Sequence, residues 1–79
     1  MDYDKDRVDE AVLALLSLTM FDDHSGTRAW KGHDWDAMDR LHAQGYISDP
    51  KGKAKSVVVT EEGVKRSQEL FQKYFVTKK

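Results

Sequence analysis

The chain contains no cysteine. That removes disulfides, thiolate metal sites and a cysteine nucleophile together. Long apolar runs are also missing: nothing approaches the roughly 18 residues a membrane span needs, so no membrane partner is expected. The N-terminus, Met1-Asp2-Tyr3-Asp4-Lys5-Asp6, is acidic and polar, unlike a signal peptide. A cytoplasmic location is therefore the expectation. No His-Glu-x-x-His, Gly-rich phosphate loop or Gly-x-Ser-x-Gly is present, so no catalytic residue and no cofactor is assigned and the chain is read as non-catalytic.

What is present is short and heavily charged. At 79 residues the chain is read as a single domain over 1–79, with 39% hydrophobic and 34% charged residues. A core of this size buries little surface, and pairing with a second copy is one route to extra stability. Net charge is −1 and pI about 6.3, so nothing global draws the chain to nucleic acid. Charge is unevenly spread: residues 1–10 carry five acids and two bases, and residues 51–55 carry three lysines and no acid.

The spacing of Val8, Ala11, Val12, Leu15, Leu16 and Thr19 predicts a helix over Asp6 to Met20, with Asp4 or Asp6 as cap. Leu13 and Met20 fall about 120–140° from Val8 at about 100° per residue, and Leu18 widens the other flank. This wide apolar arc is either wrapped on two sides by the chain itself or shared with a second chain. Residues 22–33, interrupted by Gly26 and Gly32, read as a loop with one short extended piece.

A second helix is expected from Asp34 to Gln44, capped by Asp34 and ended by Gly45, with Trp35, Met38, Leu41 and His42 on one face. Tyr46-Ile47-Ser48, the turn Asp49-Pro50-Lys51-Gly52 and the β-branched run ending at Val59 form a hairpin with a basic tip. Thr60 caps a last helix with Glu61 and Glu62 in its first turn and Val64, Leu70, Phe71, Tyr74 and Phe75 on its apolar side. Gly63 is unusual so close to a helix start, and Lys78 and Lys79 are expected to fray. The expected fold is α+β: helix, loop, helix, hairpin, helix.

The stretch Leu41-His42-Ala43-Gln44-Gly45-Tyr46-Ile47, the hairpin, and Val59-Thr60-Glu61-Glu62-Gly63 resemble the second half of winged-helix transcription regulators. The resemblance implies a recognition helix before the glycine and a wing after it. It also implies a further helix between the first helix and the wing, which residues 22–33 would have to supply. Over nearly the whole chain, Ala29-Trp30-Lys31-Gly32, Asp34-Trp35, Ala37-Met38, Arg40-Leu41 and Lys53-Ala54-Lys55-Ser56-Val57 look like a family of small uncharacterised bacterial proteins.

Candidate sites follow from these elements. Arg40, Lys51, Lys53 and Lys55 are the candidate nucleic-acid contacts, because duplex affinity comes from cations near phosphates. Asp34, Asp36 and Asp39 oppose them in the same helix. Lysines at a hairpin tip equally serve as a solvated, aggregation-resistant edge. Leu13, Leu18 and Met20 on the first helix and Leu70, Phe71, Tyr74 and Phe75 on the last are the candidate protein interface. Trp30 and Trp35 read as aromatic anchors for the long loop, or as a recognition surface. His33-Asp34-Trp35-Asp36 sets a histidine beside two carboxylates, but loop neighbours seldom converge on one ion, so no metal is assigned. Self-association, or contact with another protein, is the leading expectation, and nucleic acid the alternative.

Overall fold

The computed structural model describes residues 2–24 and 26–76. The expected fraying of Lys78 and Lys79 lies outside them. Helix α1 spans Lys5–Leu16, and a 3-10 turn over Ser17–Thr19 closes it. Strands β1 (Phe21–Asp23) and β2 (Gly26–Trp30) follow, then α2 (Trp35–Ala43), β3 (Ser56–Val58) and α3 (Glu61–Phe75). The result is a small α+β fold.

Each helix starts where a short polar side chain takes an otherwise unpaired backbone N–H. Asp4 accepts from Arg7 N–H, Asp34 from Ala37 N–H and Thr60 from Gly63 N–H. Helix α2 ends in a double turn: Tyr46 N–H donates to Leu41 O at 3.1 Å and Gly45 N–H to His42 O at 3.0 Å. This closure needs a left-handed residue, and Gly45 supplies it with φ of 84°.

The segment read as a loop with one extended piece is a β-hairpin. Strand β2 pairs antiparallel with β1 and with β3, giving a three-stranded sheet in the order β1-β2-β3. Among the described residues no α-helix lies between α1 and α2, so the further helix of the winged-helix pattern is replaced by strands. Across β3 from β2, Ile47 bridges to Val59, and Ser48 N–H donates to Val58 O. Of the expected Tyr46–Val59 hairpin, the first arm is therefore a single bridge, and the second arm belongs to the sheet.

Side chains alternate across a strand, and the burial follows. Ala29 and Val57, directly paired, point into the core, whereas Arg28 and Trp30 project from the other face. Among the described residues, twelve buried apolar side chains make up the core, drawn from all three helices, β2, β3 and the bridge region.

Helix α1 lies against both α2 and α3, and this rotates its buried face from the expected one. Val12, Leu13, Ala14 and Leu16 are buried, while Ala11 and Leu15 are half-buried. Helices α1 and α3 run antiparallel. Ser67 Oγ donates to Leu13 O at 2.6 Å and also bonds Ser17 Oγ at 2.6 Å. Arg66, the residue before Ser67, and Tyr74, two helical turns after it, both reach Glu10.

The two motifs flanking the wing meet at one point. Thr60 N–H donates to Tyr46 O at 3.0 Å, and Thr60 Oγ1 donates to Gly45 O at 2.8 Å. The end of α2 and the start of α3 are thereby joined through one threonine. Gly63 lies over this joint: a Cβ there would overlap the Tyr46 carbonyl oxygen and stand 2.9 Å from Val59 Cγ1. The glycine near the helix start is a packing requirement.

Candidate functional site

The basic wing is built by residues that bond its backbone. Lys31 Nζ donates to Pro50 O at 2.7 Å and to Gly52 O at 2.6 Å, and Lys31 N–H donates to Lys55 O. Asp49 accepts from Lys51 N–H, and Pro50 is buried at the base. Lys51, Lys53 and Lys55 are all exposed. Lys31 is therefore a clamp for the loop, while the three tip lysines keep their charge outward.

Arg40 is used elsewhere. Its Nε donates to Asp9 Oδ2 at 2.7 Å, and the Asp9 side chain is only 4% exposed. This hydrogen bond raises the guanidinium pKa above its ordinary value against the opposing effect of burial, and the aspartate's charge adds to the rise. Asp9 Oδ1 and Arg40 Nη2 are buried without a partner, so one arm of a two-pronged guanidinium–carboxylate contact is made. Arg40 is thus held in an α1–α2 tie, which engages the charge that the nucleic-acid reading assigned to it. The periodicity of α1 carried no sign of Asp9, because a hydrophobic stripe does not register a buried charge whose partner is on another helix.

A cavity of about 170 Å³ opens beside this pair at the junction of the three helices. Its rim acid Glu10 is engaged at both oxygens, by Arg66 at 3.2 Å and by the Tyr74 hydroxyl at 2.7 Å. The polar groups here hold helices to one another. Among the described residues no three His, Cys, Asp or Glu side chains gather as a metal site. His42, expected on the apolar face of α2, is exposed, with Nδ1 3.0 Å from Ile47 O. No helix is long and apolar enough to cross a membrane, among the described residues.

The interface assigned to the terminal helices comes apart in three dimensions. Leu13 and Leu70 are fully buried core residues. Leu18 is 68% exposed, but it follows Ser17, which bonds Ser67 in the middle of α3. Tyr74 and Phe75 lie at the C-terminal end of α3, beside Glu10. Phe75 packs on Phe71 and Tyr74, with centroids at 5.5 and 6.3 Å, and Met20 and Phe71 are half-buried against the core. Antiparallel packing separates what the two helical stripes, read singly, appeared to join.

The tryptophans are not core anchors. Trp30 is 50% exposed on the outer face of the sheet, its ring 5.5 Å from that of Phe21. Trp35, in the first turn of α2, is 61% exposed. Arg28 lies beside Phe21 on the same face and reaches across to Ser56, with Nε to Oγ at 2.8 Å. The sheet face therefore carries an aromatic pair, the lysine-tipped loop is bonded to the residue after Trp30, and exposed Asp34 and Asp36 flank Trp35 in the sequence.

Relatives sharpen the family and leave its chemistry open. The chain is 53% identical over 75 residues to the uncharacterised protein y4hR of Sinorhizobium fredii (strain NBRC 101917 / NGR234), covering 95% of this chain and 97% of that protein. No solved structure matches. A family model described as a domain of unknown function matches residues 4–77. The chain belongs to that family, DUF6429.

Proposed function

We propose that this chain is a non-catalytic interaction module that works through protein–protein contacts as a homodimer. The observation that carries the reading is exposed large apolar surface on a molecule with a small core. Leu18, Trp30 and Trp35 are each at least half exposed, against a core of twelve of the described residues. Burying such side chains contributes roughly 25 cal/mol per Å² of apolar area, and tryptophan is enriched among residues that dominate interfaces. A net charge of −1 leaves little repulsion between copies.

The nucleic-acid reading rests on the exposed lysines of the wing. It is weakened by the loss of Arg40 to Asp9 and by exposed Asp36 on the helix that would face phosphates. Sedimentation velocity across the micromolar range tests the preferred reading. A dimer that dissociates on dilution is expected, and a monomer at every concentration refutes it.

A further inference from the structure

We infer that the self-association surface is the strip from Trp30 to Trp35 with the adjoining outer sheet face, and that its occupant is a second copy of the same strip. This rests on the homodimer reading above and names its surface. Three observations support it.

The first is apolar content. Phe21 and Trp30 form a ring pair on the sheet face that carries no helix, and Trp35 stands exposed five residues along the chain. At about 250 Å² per tryptophan, the two exposed fractions amount to roughly 280 Å². That is about a third of the roughly 800 Å² each partner contributes to a standard interface. The rest would come from Phe21, the sheet face and the wing.

The second is charge. The wing lysines are joined to the Trp30 end, because Lys31 N–H bonds Lys55 O and Lys31 Nζ bonds Gly52 O. Asp34 and Asp36 flank Trp35. The strip thus carries cations at one end and anions at the other. A two-fold contact is self-complementary by construction, each patch meeting its own copy reversed. Centred on the tryptophans, it brings the lysines of one copy to the aspartates of the other. A phosphate backbone would meet the aspartates unfavourably.

The third is rigidity. Trp30 is in the central strand of the sheet, and Trp35 is in a helix whose cap is made. Little ordering is lost on contact, which favours association.

Wild-type fluorescence reads the strip without any substitution, because Trp30 and Trp35 are the only tryptophans. Emission is expected to shift to longer wavelength on dilution through the dimer–monomer transition measured by sedimentation. Trp35→Ser should raise the dissociation constant more than tenfold, with circular dichroism and denaturation midpoint retained because the ring is exposed. Lys53→Glu with Lys55→Glu, and separately Asp36→Lys, should each weaken the homodimer, and mixing the two variants should restore a heterodimer. A wild-type dimer with unchanged emission, or one that survives loss of Trp35, overturns the strip and leaves self-association standing. Failure of the mixed variants to pair overturns the two-fold charge arrangement. A wild-type monomer throughout overturns both readings.

Discussion

Replacing Gly63 by alanine sets helix propensity against packing. In an ordinary helix interior the change stabilises by about 1 kcal/mol. Here the new methyl would overlap the Tyr46 carbonyl oxygen and crowd Val59 Cγ1 at 2.9 Å. The carbonyl is held in place, because it accepts from Thr60 N–H at 3.0 Å and lies 3.2 Å from Thr60 Oγ1. The first turn of α3 must therefore lift. That strains the packing by about 3 kcal/mol and weakens the Thr60 cap on Gly63 N–H by about 1 kcal/mol. The net expectation is a loss of about 3 kcal/mol, a large part of the roughly 4–12 kcal/mol available to a chain of this size. At about 4–8 °C per kcal/mol the melting temperature should fall by at least about 12 °C. Urea and thermal unfolding followed by circular dichroism measure it. Gly32→Ala is the control, since nothing lies within 4 Å of a Cβ there and its φ is not positive. It should change stability by no more than about 1 kcal/mol, in the stabilising direction. A Gly63→Ala protein as stable as wild type refutes the close-approach argument.

Three further substitutions have defined outcomes. Arg40→Ala leaves the Asp9 carboxylate buried without its cation, so it should lower the melting temperature well beyond Arg7→Ala, which removes an exposed pair with Asp4. Because the folded-state pKa of Arg40 is raised, the pair's contribution is complete below the ordinary arginine range and is lost only above it; wild-type and Arg40→Ala unfolding curves should keep a constant separation from neutral to moderately alkaline pH. Ser67→Ala removes the bond to Leu13 O and strands the Ser17 hydroxyl, and should cost about 1–2 kcal/mol in urea unfolding. Lys31→Met frees Pro50 O and Gly52 O, so the backbone of residues 50–55 should exchange amide hydrogens faster while α1 and α3 do not change.

How much of this was legible depends on the range of the interaction. Capping is local, so Asp34, Gly45 and Thr60 announced their helix ends and the structure has them there. Phe21-Asp22-Asp23 carries no strand signature of its own. It becomes a strand because β2 pairs with it, and β2 is held in turn by β3, far along the chain. Trp35 and His42 share a helical stripe with Met38 and Leu41, yet only the latter pair is buried. Periodicity identifies a face; the width of what packs on it comes from elsewhere.

The candidate surface followed the same rule. Two tryptophans and a lysine-tipped turn were visible as residue types, but not which chain atoms they would face. Arg40 was a free cation on paper and is paired with Asp9 from another helix. Leu13 and Leu18, on different flanks of one helix, were both assigned to the interface; Leu13 is buried in the core and Leu18 is open to solvent. The chain by itself determined its three helices, the caps of α2 and α3 and the basic turn, because those depend on residues a few positions apart, whereas α1 ends at Leu16 and not at the expected Met20. The tertiary structure alone decided the central strand, the sealed Asp9–Arg40 pair and the exposure of Trp30 and Trp35, because each depends on which distant segment arrives to cover it.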